Sequence, residues 1–221
     1  MADIYLELGE KKIFACSLEW PGWCRSGKTE VEAVQALIDS APRYRGIAQR
    51  AELDFEPGDP VVVERVSGDT TTNFGAPSII TDADTRPVDT ATAERGVALL
   101  RASWAVMDEV IAASPIELRK GPRGGGRERD EIAAHVIEAE RAFARKIGVR
   151  HKPFPINDRA ALTALRADIT VVLSKPSNGS PLTPGGWPTS YAIRRITWHV
   201  IDHIWEIEDR QIGSPGTTNL S

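Results

Sequence analysis

Residues 191–210 of the chain read YAIRRITWHVIDHIWEIEDR. Apolar residues recur there every three or four positions, which is the spacing of one face of an α-helix: Ile193, Ile196, Val200 and Ile207. His199 and His203 follow each other at the edge of that face, one turn apart and about 40° apart around the axis. Two imidazoles at positions i and i+4 can bind one metal ion. The stretch therefore predicts a core helix that carries part of a metal site.

The same helical spacing covers the whole second part of the chain. Asp89 is a good N-cap residue, and the apolar pattern after it predicts helices over residues 90–114, 128–147 and 158–174. The helix quoted above begins after Pro188 and continues to about residue 211. Four consecutive helices joined by loops favour a helical bundle.

His135 is a third candidate ligand. It lies on the second of these helices, beside an apolar stripe formed by Ile132, Val136, Ala139 and Phe143. A single histidine at the edge of a core is usually hydrogen-bonded to a carbonyl, but here helical phase directs three of the four histidines of the chain toward one cleft. Three neutral imidazoles are a sufficient ligand set for Zn²⁺, Ni²⁺ or Fe²⁺, with water or substrate in the open positions. The predicted metal ligands are therefore His135, His199 and His203.

Two segments of these helices carry a family resemblance: AHVIEAE at residues 134–140 and WHVIDH at residues 198–203. With them, residues 89–211 resemble the DinB superfamily of four-helix bundles, which includes the bacillithiol, mycothiol and glutathione S-transferase-like enzymes and a maleylpyruvate isomerase. The resemblance implies a metal triad of one histidine from the second helix and an H-x-x-x-H pair on the fourth, which corresponds to His135, His199 and His203. It also implies thiol transfer or thiol-dependent isomerisation at a divalent metal, and the pairing of bundles into homodimers.

This interpretation gives roles to further residues. A low-molecular-weight thiol beside the cation would lose its proton, and the thiolate would attack a small electrophile. Arg194 and Arg195 are candidates to bind a carboxylate of the thiol or the substrate, or else they are solvated surface charges. Glu206 either orients His199 or faces water. The alternative function is a non-enzymatic protein with a structural metal.

The first 66 residues have the pattern of a small α+β unit. Residues 4–8 and 13–18 read as a hairpin, residues 30–44 as a helix behind a Thr29–Glu32 capping box, and residues 61–66 as another strand. Residues 67–87 are rich in Gly, Thr, Ser, Asp and Pro, which predicts a linker without a long element. The predicted fold class is α+β, with a β-sheet-plus-helix domain and linker over residues 1–85, an all-α bundle over 86–212 and a flexible tail over 213–221.

Residues 22–29, GWCRSGKT, match the phosphate-loop pattern G-x-x-x-x-G-K-[ST]. The chain lacks the alternating strands and helices of the parallel sheet that supports such a loop, so we interpret the segment as a strand-to-helix turn. Pro21-Gly22, Ser26-Gly27, Thr29 and Glu32-Ala33 give residues 4–66 a resemblance to the antitoxin-like domain of the HicB family. That resemblance implies a short β-sheet with one helix that binds partners and performs no chemistry. In the alternative function, this domain mediates association.

Composition excludes several classes of protein. Uninterrupted apolar stretches, such as residues 61–63 and 171–173, are far shorter than the roughly 20 residues that cross a bilayer, and the N-terminus has no secretory pattern. Residues 1–85 carry 8 basic against 15 acidic side chains, which argues against nucleic acid as a partner. Cys16 and Cys24 match no zinc pattern and are expected to be reduced thiols. We therefore predict a cytoplasmic protein whose partners are small molecules.

The helix of residues 191–210 also has a second apolar side. Trp198, Ile201 and Trp205 lie well away from the apolar stripe that faces the bundle. A helix that is apolar on two sides is buried on two sides, and exposed tryptophans would form a patch that soluble monomers rarely carry. We predict that a second copy covers this side in a homodimer, with residues 1–66 as the competing cover.

Overall fold

The computed structural model describes residues 1–121 and 125–211, and the tail predicted for residues 213–221 lies outside them. Within these residues the chain is α+β, as predicted, with four strands and seven α-helices. The strands are β1 (Ala2–Leu8), β2 (Ile13–Ser17), β3 (Cys24–Gly27) and β4 (Pro60–Ser67). The helices are α1 (Glu30–Asp39), α2 (Ala41–Arg50), α3 (Thr70–Phe74), α4 (Thr90–Ala113), α5 (Arg129–Arg145), α6 (Arg159–Leu173) and α7 (Thr189–Asp209).

The strands form one mixed sheet in the order β3-β2-β1-β4. The predicted hairpin is confirmed, since β1 and β2 pair antiparallel. β3 pairs antiparallel with β2, and β4 pairs parallel with β1 after the crossover through α1 and α2. β3 is missing from the sequence prediction because its sequence, CRSG, contains no β-branched or aromatic residue.

Alternate side chains of a strand point to opposite sides of the sheet, and in β1 and β2 both sides are largely buried. One set of strand side chains, Ile4, Leu6 and Ala15, packs in the main core with Ala33 and Leu37 of α1. The other set packs against Trp198 of α7: Tyr5, Phe14, Cys16 and Cys24. The sheet therefore lies between α1 and α7. α7 packs against both the N-terminal and the C-terminal part of the chain.

The single helix predicted for residues 30–44 is wrong. α1 ends at Asp39, and α2 begins at Ala41. Ser40 separates them, with its backbone N–H bonded to the carbonyls of Ala36 and Leu37 at the end of α1. Pro42 falls in the first turn of α2, where the missing N–H costs no hydrogen bond, so a new helix can start there.

Residues 22–29 do not adopt a phosphate-loop geometry. Cys24–Gly27 is strand β3, and the Thr29 hydroxyl caps α1 by accepting from the backbone N–H of Glu32 at 3.2 Å. Gly22 has φ 88°, and a Cβ there would lie 2.8 Å from side-chain atoms of Thr197 and Ile201 on α7. A Cβ on Gly27 would lie 2.5 Å from the backbone nitrogen of Ala33. Close packing against two helices thus accounts for both glycines, and the strand-to-helix interpretation is confirmed.

The segment predicted as a linker has no long element, as expected, but it packs closely against the rest of the chain. It contains α3 and a short 3₁₀ turn at Ala83–Thr85. Asp84 is 3% exposed and forms a buried ion pair with Arg194 of α7. The Tyr191 hydroxyl donates to the carbonyl of Ser78 at 2.7 Å. These contacts join the segment to α7.

Helices α4–α7 pack on one another around the larger part of the core, and their predicted bounds are confirmed to within two residues. Asp89 and Asp158 cap α4 and α6 by accepting from backbone N–H groups at 2.8 and 2.9 Å. α7 contacts α4, α5 and α6. None of the helices in the described part of the chain combines the length and apolar character needed to cross a bilayer.

The second apolar side of α7 is covered by the N-terminal residues of the same chain. Trp198 is 4% exposed, and the ring of Phe14 meets it edge-on with centroids 6.2 Å apart. Trp205 is 3% exposed, and the guanidinium of Arg25 lies 3.6 Å from its ring centroid. The homodimer was predicted to cover this side. That reason for a dimer does not hold, because residues of the N-terminal segment 1–66 already cover the tryptophan side of α7.

Candidate metal centre

α5 and α7 bring the three predicted histidines together. His135 lies in the first half of α5, and His199 and His203 lie one turn apart in α7. Because α5 packs directly on α7, one ligand atom of each residue lies within 4.8 Å of the other two. Residues 1–121 and 125–211 contain no other such group of three His, Cys, Asp or Glu side chains. The convergence predicted from helical phase is confirmed.

Two of the ligand atoms have a separation suited to a shared cation. The Nε2 atoms of His135 and His199 are 3.3 Å apart. Two nitrogens on one tetrahedral Zn²⁺, each about 2.0–2.1 Å from the ion, lie about 3.3 Å from each other. Without a cation, one of these nitrogens must donate a proton to the other, which requires at least one neutral ring. The donor set and its spacing fit a divalent metal.

Glu206 orients His203 and makes no hydrogen bond to His199, the residue it was predicted to orient. Its Oε2 lies 2.7 Å from Nδ1 of His203 and its Oε1 accepts from Arg210 at 2.9 Å. A proton on Nδ1, held by this carboxylate, leaves the lone pair of Nε2 on His203 available to a cation. The prediction chose the wrong histidine because Glu206 lies on the same side of α7 as both rings, and helical phase alone does not separate them.

The surroundings of His199 and His135 favour the neutral form of both imidazoles. Burial lowers the pKa of His199 well below its ordinary value, and His203, His135 and Arg195 lower it further by charge repulsion. Burial also lowers the pKa of His135, with a further contribution from His203. The hydrogen bond from His203 lowers the pKa of Glu206. Neutral rings and an ionised carboxylate are the states that metal binding requires.

An aromatic wall flanks the cluster on the side toward the start of α7. The ring of Phe143 meets His199 edge-on, with centroids 5.4 Å apart. The ring centroid of Trp187, in the loop before α7, lies 5.3 Å from that of Phe143. Both residues are half-buried, so they form an accessible apolar edge beside the histidines. The sequence prediction assigned no role to Trp187, because the loop that carries it has no helical phase.

The two predicted anion-binding arginines have different environments. Arg194 is 5% exposed, pairs with Asp84 and donates to the Tyr5 hydroxyl, so it holds the sheet and the linker segment against α7. This contradicts a substrate contact for Arg194 and equally a solvated one. Arg195 is 8% exposed and lies one turn before His199, on the same side of α7 as the triad. Arg195 alone keeps the predicted position beside the cluster.

His151, the fourth histidine, lies outside the cluster and forms a hydrogen bond of 2.8 Å with Asp168. This agrees with the three-residue ligand set. Comparison of the chain with protein-family models, with curated proteins and with solved structures gives no match.

Proposed function

We propose that this chain is a DinB-like protein that binds one divalent metal ion through His135, His199 and His203. In this proposal α4–α7 are its four-helix bundle, and the sheet with α1 and α2 is a HicB-like domain. One observation carries the proposal: three imidazoles from two helices meet within 4.8 Å, with two of their nitrogens 3.3 Å apart. Zn²⁺, Ni²⁺ and Fe²⁺ all accept such a nitrogen donor set.

The activity that best suits this site is transfer of a low-molecular-weight thiol to a small electrophile. A bound divalent cation would supply the stabilisation of a thiolate over a thiol. The protein's own residues favour the state that this chemistry needs, since burial favours neutral rings at His199 and His135 and Glu206 holds a proton on Nδ1 of His203. Phe143 and Trp187 provide an apolar edge for the carbon skeletons of the reactants.

The atoms of the proposed reaction balance without a further reagent. A new bond forms between the thiol sulfur and the electrophilic carbon, and the thiol proton passes to solvent. In a substitution, the leaving group departs with the electron pair of its bond to that carbon. No oxidation or reduction takes place.

Purified protein without an affinity tag, loaded with zinc, tests this proposal. Glutathione or cysteine is mixed with the chromogenic electrophile chlorodinitrobenzene, and conjugation is followed by absorbance for wild type, for His199→Ala and for chelator-treated protein. Conjugation that requires both the zinc and His199 supports the transferase. If zinc binds and no thiol among several tested is conjugated faster than without protein, the transferase is wrong.

A non-enzymatic role is the second candidate, and the sheet edge favours it. β4 is an edge strand of the described sheet, and Val61 and Val63 on it are 38% and 49% exposed. Edge strands with exposed apolar residues are sites of pairing with another chain. In this case the metal is structural, and the HicB-like domain mediates association.

A further inference from the structure

Arg195 is a buried cation that forms no hydrogen bond with the described residues. It is 8% exposed, and its Nη1 atom is fully enclosed without a partner in residues 1–121 and 125–211. Its neighbour Arg194 is buried to a similar degree but has Asp84 as its counter-ion. The two adjacent arginines therefore differ in that Arg195 has no hydrogen-bond acceptor among the residues that the structure describes.

The groups packed around Arg195 do not satisfy its guanidinium. The ring centroids of Trp198 and Phe143 lie 4.8 and 5.4 Å from the central carbon of its guanidinium. Aromatic faces attract a cation, but they do not replace the oxygen acceptors that its N–H groups normally bind. The carboxylate of Glu7 is buried nearby, but it already accepts from the backbone N–H groups of Ser78 and Ile79 and from the Thr72 hydroxyl. A guanidinium stays charged at all physiological pH values, and Tyr191 and Glu7 attract it without accepting a hydrogen bond from it, so burial leaves N–H donors of Arg195 unpaired among the described residues.

That charge lies directly beside the histidine cluster. Arg195, His199 and His203 follow at intervals of four residues, so they lie along one side of α7. Phe143 of α5 joins them, because its ring is 5.4 Å from both the His199 ring and the Arg195 guanidinium. The charge of Arg195 also contributes to the lowered pKa of His199. A molecule that enters beside the half-buried Phe143 and Trp187 would meet the guanidinium and the histidines together.

We propose that Arg195 binds the carboxylate of a small molecule whose planar or apolar body lies against Phe143 and Trp187. The planar fork of N–H donors on a guanidinium matches the two oxygens of a carboxylate, and burial strengthens such a pair. The aromatic edge would contact the rest of the ligand. This inference deepens the proposed function by giving its substrates a class, namely carboxylate-bearing reactants that reach the metal from the Arg195 side.

Metal-free protein in excess chelator provides the test, because carboxylate binding at Arg195 requires no zinc. Titration calorimetry with benzoate and with its neutral analogue benzamide is applied to wild type, Arg195→Gln, Arg195→Lys and the control Arg145→Gln. Arg145 is an exposed arginine at the end of α5. We expect saturable benzoate binding to wild type and Arg145→Gln, with a loss of about tenfold or more for benzamide and for Arg195→Gln. Arg195→Lys keeps the charge without the fork and should lose less than Arg195→Gln.

Several results would overturn the assignment. The first is that wild type binds benzoate and benzamide with equal affinity, and the second is that wild type and Arg195→Gln bind benzoate with equal affinity. The third is that inorganic phosphate binds wild type as tightly as benzoate does. The wild-type comparison decides the question even if both Arg195 variants fail to fold. Zinc analysis of the same wild-type preparation, after removal of the chelator and equilibration with zinc, separates this inference from the proposed function. Benzoate binding without zinc binding overturns the metal site alone, whereas zinc binding without benzoate selectivity overturns the role of Arg195 alone.

Discussion

Nδ1 of His203 lies 2.7 Å from Oε2 of Glu206, three residues later on the same helix. This contact selects the ring tautomer whose Nε2 carries the lone pair, and a cation needs that lone pair. Because Arg210 binds the other oxygen of the same carboxylate at 2.9 Å, the ring, the carboxylate and the guanidinium form one hydrogen-bonded chain. The geometry of His203 therefore depends on residues that do not touch the proposed metal.

Glu206→Ala should weaken zinc binding by about 10- to 100-fold without changing its stoichiometry, because His203 loses the acceptor that holds its ring. Competition with a chromogenic chelator measures this affinity. Glu208→Ala is the matched control, since Glu208 lies on the same helix and pairs with Arg43 at the surface. A Glu206→Ala affinity equal to that of the control would show that the contact has no role in binding.

The stability of metal-free protein should fall as the pH drops below the ordinary histidine pKa of about 6.5. Burial lowers the pKa of His199 in the folded state, so over this range the unfolded chain binds a proton that the folded chain does not. Each such proton changes the free energy of unfolding by about 1.4 kcal/mol per pH unit until the folded-state pKa is reached. Above pH about 6.5 the contribution is constant.

Urea unfolding of wild type and His199→Gln in excess chelator measures this effect between about pH 7.5 and about pH 5.5. The variant lacks the titrating ring, so the free energy of unfolding of wild type should decline more steeply toward low pH than that of the variant. Parallel pH profiles would contradict the lowered pKa of His199.

Asp84→Asn should lower the free energy of unfolding by about 3–5 kcal/mol, because it leaves Arg194 as an unpaired charge in a buried position. Glu56→Gln is the control, since its pair with Arg45 is exposed and should contribute no more than about 1 kcal/mol. Chemical denaturation of both variants checks the contrast. If Asp84→Asn unfolds like the control, the linker segment does not hold α7 through this pair.

Trp198→Ala should lower the free energy of unfolding by about 3–5 kcal/mol and leave the sedimentation of the native protein unchanged, because its ring packs against Phe14 of the same chain. Val31→Ala removes an apolar side chain that is 79% exposed and should change stability by less than about 0.5 kcal/mol. A dimeric wild type that Trp198→Ala converts to a stable monomer would instead support the homodimer predicted from the sequence.

Local patterns in the sequence were sufficient for helices α4–α7 and for the identity of the histidine cluster. α4 and α6 begin at Asp89 and Asp158 because an N-cap side chain acts on the next few residues only. Helical phase identified His135, His199 and His203. It depends only on spacing within each helix, which places every one of these histidines beside the apolar stripe of its helix, and on the packing of the two stripes against each other. These features require little knowledge of distant contacts.

Features that depend on long-range packing were not predictable in the same way. β3 forms because β2 is beside it, and the tryptophan side of α7 was assigned to a second copy although Phe14 and Arg25 cover it. Arg194 and Arg195 look equivalent in the sequence. The partner that separates them, Asp84, lies 110 residues away, in a segment that has no regular pattern. Spacing along one helix carries no information about such a partner.

The central claim is tested most directly by the zinc content of untagged protein after equilibration with zinc and removal of the excess. We predict about one zinc per chain in wild type and in the control His151→Ala, whose side chain pairs with Asp168 away from the cluster. The variants His135→Ala, His199→Ala and His203→Ala should each lose this stoichiometric zinc at neutral pH. Zinc retained in full by all three variants, or absent from wild type, would contradict a metal centre at these histidines.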